Sequence, residues 1–257
     1  MSLGESPSDP DRCGPAFFAA FDAIAIVNRT DRPDRRNDMV RMFEQYGLAD
    51  DPRVRFFPAV VTTQSAPFRR AGSRGAFLSH LTLLREAAGK QQTILILQDD
   101  CEFLPGEIET YRPPANWDIF YGGYVASDPD NPHDSDIIGA HFMGFSPRAA
   151  EVAVDYLTRY LEPDFPSDPQ AAAQPGYDPA IRPPIDGAFV WMRRAHPELV
   201  TIFRMLGVQR ASRTDIGDSK VYDRIPVVRS IAERARRLRA AILPGTVRNP
   251  MFETINK

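Results

Sequence analysis

The stretch TILILQDDCE, from Thr93 to Glu102, decides the fold, because four large aliphatic side chains end at two adjacent carboxylates. The uninterrupted apolar run from Ile94 to Leu97 predicts a strand that is buried on both faces of a sheet. Two like charges beside a core, here Asp99 and Asp100, repel each other and lose hydration, so they favour a place where solvent, a cation or a phosphate-bearing ligand meets them. Ligands of open α/β sheets bind at the carboxyl ends of strands. The stretch therefore predicts a functional site at that edge.

The composition predicts one large α/β domain. The chain has 257 residues, of which 43% are hydrophobic and 25% are charged, which is enough for a full core. A formal net charge of -3 argues against a general nucleic-acid binder. Two cysteines predict neither a disulfide framework nor a cysteine metal site, and they indicate a reducing compartment. Since no apolar run approaches membrane-spanning length, we expect a cytoplasmic protein.

Three segments are predicted along the chain. Residues 1–16 carry acids and prolines but no apolar core, which predicts a disordered N-terminal tail. Residues 17–225 form the predicted domain. Residues 226–257 hold an apolar stripe surrounded by arginines, which predicts an amphipathic basic helix and a tail. Packing of this helix on the domain is one interpretation, and peripheral contact with an anionic surface on the inner face of a membrane is the other.

Strand and helix patterns alternate through the domain, which favours a mostly parallel sheet flanked by helices. Loops are expected at 62–74 and, as a long irregular excursion, at 161–184. Further strands are predicted at 22–28, 54–61, 117–123 and 137–145, and helices at 34–46, 76–90 and 146–160. The strand at 117–123 ends in a glycine pair, where a close approach of the backbone to a ligand is expected.

Four blocks in this order resemble glycosyltransferase family 25, which includes lipooligosaccharide galactosyltransferases and collagen galactosyltransferase domains. Two positions depart from the family pattern: Gln98 stands where the family has Glu, and Ala76 where it has Cys. A weaker match consists of Gln209, Ser212, Asp215 and Ile216. The blocks are IVNRTDRPDRRNDM, GSRGAFLSH ending at His80, LQDD ending at Asp100, and PID ending at Asp186.

The resemblance implies a GT-A-like fold, in which a Rossmann-like sheet binds a nucleotide-sugar donor, typically with a divalent cation. It further implies an inverting transfer of a hexose, for example galactose, from a UDP-sugar to a saccharide acceptor such as a lipooligosaccharide or another cell-surface glycan. Gln98 and Ala76 motivate an alternative, a catalytically weakened protein that still binds nucleotide sugars. A nucleotidyltransferase or phosphoesterase also uses acidic strand ends, but usually with more clustered acids.

The acids after the central strand are the predicted metal ligands. A hard cation such as Mn²⁺ or Mg²⁺, held by one or two carboxylates, neutralises a departing diphosphate. Asp100 is the first candidate and Asp99 the second, while Gln98 is expected to reach toward the ribose or a metal-bound water. The simpler interpretation of such a pair is a turn signal.

Asp186 is the candidate catalytic residue. Direct displacement at an anomeric carbon needs a general base that takes the proton of the acceptor hydroxyl, and a carboxylate suits this role. The alternative is that Asp186 caps the helix that follows it.

The remaining candidates follow from the resemblance. Asn28, Arg32 and Arg35 are expected to contact the nucleotide, although arginines on a polar helix face are usually only solvated. Ser79 and His80 are expected to support the donor pocket. His133, His141 and His196 have no ligand-like spacing and receive no role, and Cys101 is interpreted as a packing residue.

Overall fold

The computed structural model describes residues 15–210 of the chain. The strands of this part are β1 (Ala23–Asn28), β2 (Val54–Pro58), β3 (Ile94–Gln98), β4 (Cys101–Phe103), β5 (Ile119–Ala126), β6 (Ile137–Phe145), β7 (Thr201–Phe203) and β8 (Gly207–Gln209). The helices of this part are α1 (Pro33–Gln45), α2 (Ala71–Lys90), α3 (Glu107–Thr110), α4 (Pro147–Tyr160), α5 (Pro169–Ala172) and α6 (Ile185–Ala195).

The predicted α/β class and the mostly parallel sheet are confirmed. Six strands are hydrogen bonded in the order β2-β1-β3-β6-β5-β7. The pairs β1–β2, β1–β3 and β5–β7 are parallel, and β6 runs antiparallel between β3 and β5. A separate pair, β4 with β8, is antiparallel and directly follows the acids. This architecture is consistent with the GT-A-like fold that the resemblance implies.

The central strand is buried on both faces, as its aliphatic run predicts. Ile94 and Ile96 pack into one cluster with side chains of α2, α4 and α6. Leu95 and Leu97 pack into the other cluster with α1 and with a 3₁₀ turn at Phe18–Ala20. Burial of large aliphatic side chains on both faces is a major source of the stability of such a sheet.

Two local predictions are wrong. The loop predicted at 62–74 ends early, because α2 already begins at Ala71. A Cβ added to Gly75 would lie 2.4 Å from the carbonyl oxygen of Val60, so this glycine permits close helix packing and does not mark a loop. The glycine pair that ends the predicted strand at 117–123 lies inside β5. A Cβ at Gly122 would lie 2.3 Å from the Phe142 ring, so a side chain of β6, and not a ligand, fills that space.

The irregular excursion at 161–184 is confirmed and contains only the short helix α5. Arg182 holds it in place, with its guanidinium donating to the carbonyl oxygens of Tyr160 and Glu162. Its backbone N–H also donates to the Pro67 carbonyl at 2.9 Å. The excursion leads directly into α6, so these contacts fix where Asp186 stands.

Several sequence-based expectations fall outside the described part of the chain. The tail at 1–16 is described only at its last two residues, and the basic helix at 226–257 lies wholly outside, as does the domain boundary at residue 225. Their structure and the peripheral membrane contact stay predictions. Among residues 15–210, none of the helices combines the length and the apolar character needed to cross a membrane.

Candidate active site at the carboxyl edge of the sheet

The acids lie where strand ends of opposite direction meet. Leu97 of β3 pairs with Phe142 of the antiparallel β6, so the carboxyl end of β3 and the first residues of β6 share one edge. Asp99 and Asp100 follow β3 at that edge and are each only 6% exposed. Carboxylates with so little access to water need partners to remain charged.

Asp99 receives both of its partners from the first sequence block. The Nη1 group of Arg35, in the first turn of α1, lies 2.9 Å from its Oδ1. The Nδ2 group of Asn28, the last residue of β1, donates to its Oδ2 at 2.7 Å and to the Arg32 carbonyl at 3.2 Å. Two of the predicted nucleotide contacts, Asn28 and Arg35, therefore lie against the acid pair.

Asp100 receives its partner from the far end of the described chain. The amide of Gln209 in β8 donates to its Oδ2 at 2.9 Å, and Nη1 of Arg35 is 3.5 Å from the same oxygen. Its Oδ1 is buried and has no hydrogen-bond partner within residues 15–210. Gln209 belongs to the weaker match that comes after the four blocks, and the structure brings this residue of it to the acids.

Arg210 is a site residue that the sequence did not indicate. Its backbone N–H donates to the Asp100 carbonyl at 2.7 Å, and its Nη2 donates to the Asp99 carbonyl at 3.0 Å. Its Nη1 pairs with Asp38 of α1 at 2.7 Å. The only sequence signal for this arginine is its place next to Gln209, because the contact depends on β8 pairing with β4.

Three other candidates have mainly local partners. Arg32 forms a two-bond pair with Asp34, at 2.9 and 2.8 Å, and this hydrogen bonding lowers the pKa of Asp34 to about 2. The hydroxyl of Ser79 accepts from the Val60 N–H at 2.9 Å and donates to the Gly75 carbonyl at 2.8 Å. Cys101 is buried, and burial raises the pKa of its thiol, as a packing role requires.

A second group of polar residues lies at the same edge, on the other face of the sheet. Nε2 of His80, which is fully buried in α2, lies 3.4 Å from the Gln98 amide nitrogen. Burial lowers the pKa of His80 to about 4, so its ring is neutral at pH 7. Gln98 thus contacts a neutral imidazole in this structure, where the family's glutamate would place a charge.

His141, which received no role from the sequence, belongs to this second group. It is 5% exposed, and neither ring nitrogen has a hydrogen-bond partner in the described part of the chain. An added Cβ at Gly123 would lie 2.3 Å from its Nε2, and one at Gly139 would lie 3.2 Å from its Nδ1. The ring is therefore held between two glycines of β5 and β6.

Asp186 stands in the first turn of α6 beside these strands. Its Oδ2 accepts from the Gly139 N–H at 3.3 Å and its Oδ1 from the Gly187 N–H at 3.0 Å. The N-cap position is Pro184, but the Asp186 carboxylate accepts from Gly187 in the first turn of α6, which is the contact that the capping alternative supposed. Part of the residue stays exposed, while burial of its carboxyl group raises its pKa, against the opposing effect of the two N–H donors.

The donor set does not fit a preformed divalent-cation site. Both oxygens of Asp99 and Oδ2 of Asp100 accept hydrogen bonds from N–H groups. These amide and guanidinium nitrogens cannot themselves coordinate a metal. Within residues 15–210, no group of three or more His, Cys, Asp and Glu side chains is arranged to hold an ion. Of these four oxygens, Oδ1 of Asp100 is the one without a hydrogen-bond donor among residues 15–210. The Mn²⁺ or Mg²⁺ ion implied by the resemblance stays a prediction.

Mild acid is expected to destabilise the protein through its buried histidines. Burial lowers the pKa of both His80 and His141 to about 4, from 6.5 when exposed. Between those values the unfolded chain binds protons that the native state does not, so the free energy of unfolding falls as pH falls, by up to about 3 kcal/mol per histidine. Protonation of Asp186, whose pKa is raised, offsets part of this loss.

Urea unfolding at pH 7 and pH 5 measures this fall. His141→Gln should reduce the loss of unfolding free energy between pH 7 and pH 5. His196→Gln serves as the control, because the side chain of this histidine is 34% exposed. Equal stability at the two pH values would contradict neutral, buried histidines.

Known proteins support the class that the fold and the site suggest. None of the protein-family models searched matches the chain. A relative from Aedes aegypti, named Glycosyltransferase 25 family member, is 30% identical over an alignment of 129 residues, and the match covers 39% of this chain and 21% of that protein. A relative of the same name from Drosophila melanogaster is 29% identical over an alignment of 129 residues, and the match covers 40% of this chain and 21% of that protein.

The chain thus spans about a fifth of the length of these curated relatives. A solved glycosyltransferase involved in the glycosylation of the major capsid of PBCV-1 superimposes with a TM-score of 0.46 at 12% identity, covering 74% of this chain and 96% of that one. The predicted resemblance to glycosyltransferase family 25 is confirmed by the curated relatives.

Proposed function

We propose that this chain transfers a hexose from a UDP-sugar to a saccharide acceptor, such as a lipooligosaccharide or another cell-surface glycan, with inversion at the anomeric carbon. The observation that carries the proposal is the composition of one sheet edge. An acid pair bracketed by Arg35 and Arg210 lies on one face, and the buried carboxyl group of Asp186 lies on the other. Galactose is the first sugar to test.

The face with the arginines suits the nucleotide diphosphate. Guanidinium groups are planar and permanently charged, and they match the oxygens of a phosphate. Arg35 and Arg210 meet at the acids from α1 and from the end of β8, and Asn28 adds an amide. The donor's diphosphate is therefore assigned to this side, with Gln98 toward the ribose.

The face with Asp186 suits the acceptor hydroxyl. In the proposed step the hydroxyl oxygen bonds to the anomeric carbon, its proton passes to the Asp186 carboxylate, and the bond from that carbon to the diphosphate oxygen breaks. A raised pKa brings the carboxyl group closer to the working pH, which strengthens it as a base. The N–H groups of Gly139 and Gly187 hold the carboxylate in one orientation.

A nucleotide-sugar binding protein with weakened catalysis is the second candidate. The observation that favours it is Gln98, whose amide lies against the neutral ring of His80 at the position where the family has an acid. Such a protein would bind the donor without transferring its sugar.

Incubation of the full chain with a panel of UDP-hexoses, with and without Mn²⁺, tests the proposal and separates the two candidates. We expect release of UDP that increases when saccharide acceptors are added. Tight binding of UDP-sugars without hydrolysis or transfer under any condition would support the second candidate.

A further inference from the structure

The Arg35 guanidinium stands where a cation shared by the two acids would stand. Its Nη1 is 2.9 Å from Oδ1 of Asp99 and 3.5 Å from Oδ2 of Asp100. The arginine side chain is 12% exposed and the two aspartate side chains are each 8% exposed. A positive group on the protein therefore already compensates part of the charge of the pair at the place where a bridging ion is expected.

The other contacts of the acids reinforce this arrangement. The amides of Asn28 and Gln209 donate to one oxygen of each carboxylate, at 2.7 and 2.9 Å. A cation that bridged Asp99 and Asp100 would compete with these amides and with the guanidinium for the same carboxylate oxygens, with Oδ1 of Asp100 as the exception. The third acid of the family motif, which would add a ligand and a charge, is replaced by Gln98.

Arg210 adds a second guanidinium, from the residue that follows β8. It donates to the backbone carbonyl of Asp99 at 3.0 Å, and its side chain is 25% exposed. A guanidinium carries five N–H donors in a planar fork, so one arginine can contact a carboxylate or carbonyl and a phosphate at the same time.

We propose that Arg35 and Arg210 supply the positive charge that faces the donor's diphosphate, so that this protein binds its nucleotide without a divalent cation. The inference rests on the proposed function and assigns the nature of the counter-charge in that site. When the diphosphate leaves with the electron pair of the broken carbon–oxygen bond, the two guanidinium groups face the added negative charge.

Calorimetric titration of the full chain with UDP, GDP and CDP tests the inference, with each titration run in EDTA and again in Mn²⁺. We expect one nucleotide to bind with a Kd that differs by less than about threefold between the two conditions. Arg210→Met should weaken that binding by about 10-fold to 100-fold, the effect of losing a charged hydrogen bond to phosphate.

Arg35→Lys keeps a positive charge beside the acids but removes the planar fork, so it should also weaken nucleotide binding while the fold is retained. Arg36→Met is the matched control, because Arg36 is the next residue of α1 and its guanidinium lies 3.8 Å from the Phe56 ring centroid, away from the acids. It should bind nucleotide like the unmodified chain. Thermal melting of each variant verifies that it is folded.

The outcomes distinguish failure of the arginine counter-charge from failure of the proposed function on which it rests. Binding that appears only with Mn²⁺, or unchanged binding in both arginine variants, would overturn the arginine counter-charge and leave the proposed function standing. If none of the three nucleotides binds under either condition, both the inference and the proposed function fail.

Discussion

Replacing Asp186 by Asn is expected to lower glycosyl transfer by about 100-fold or more while nucleotide binding stays unchanged, because a general base acts on the acceptor proton and not on the donor. Asparagine has nearly the same shape, and its carbonyl oxygen can still accept from the Gly139 or Gly187 N–H. The change therefore removes a proton acceptor with little effect on packing. Initial rates with saturating UDP-sugar, together with titration of UDP, measure the two effects.

The same variant is expected to gain stability at neutral pH. Burial raises the pKa of Asp186 in the native state, so between 3.8 and that raised pKa the native state binds more protons than the unfolded chain. Stability conferred by this group therefore falls as pH rises through the window, and asparagine avoids the cost of burying a charge. Transfer by the unmodified protein should fall as pH drops through the raised pKa.

Asp164→Asn is the control for both effects, since Asp164 is an exposed acid in the excursion before α6. It should change neither the transfer rate nor the melting temperature. Normal turnover by the Asp186 variant would remove this residue from the mechanism.

Asp99→Ala is expected to produce the largest loss of stability. The Asp99 and Arg35 side chains are 8% and 12% exposed, and removing one partner of a buried pair costs about 3–5 kcal/mol when the other charge is left alone. Arg35 keeps Asp100 at 3.5 Å, so we expect a loss near the lower end of that range. Asn28 would also lose the carboxylate that accepts its amide. Denaturant unfolding measures the change in the free energy of unfolding when the slope of this free energy against denaturant concentration is the same for both proteins.

The control for this variant is Asp31→Ala, which removes the ion pair between Asp31 and Arg29. The Asp31 side chain is 62% exposed and the Arg29 side chain is 39% exposed. An exposed pair contributes little, so the unfolding midpoint should hardly move. If the two variants unfold at the same denaturant concentration, the acid pair is not held by the contacts described for it.

Local sequence patterns were sufficient for the centre of the fold. The aliphatic run before Asp99 predicted a strand buried on both faces, since adjacent large side chains on opposite faces can both be covered only inside a layered sheet. The β-α-β order predicted that β1, β2 and β3 are parallel. Periodicity missed β7 and β8, which have three residues each and are too short to show an alternation.

The same local patterns could not predict contacts between residues that are far apart in the sequence. Arg210 and His141 reach the site because β8 pairs with β4 and β6 lies antiparallel to β3, and neither pairing is encoded in the residues around them. The glycine pair of β5 signalled a close approach, but the approaching groups are Phe142 and His141, which are nearly 20 residues later. Asn28 and Arg35 were found because they belong to a motif with a known order.

The acid pair is neutralised from both ends of the described chain, and this has a consequence during synthesis. Asp99 meets Asn28 and Arg35 across 71 and 64 residues that precede it, whereas Asp100 meets Gln209 across 109 residues that follow it. A nascent chain therefore exposes Asp100 without its amide partner until β8 emerges from the ribosome. The scaffold strands can pair before that moment, but the site completes its hydrogen bonds among the last events of folding, because such long-range contacts close late.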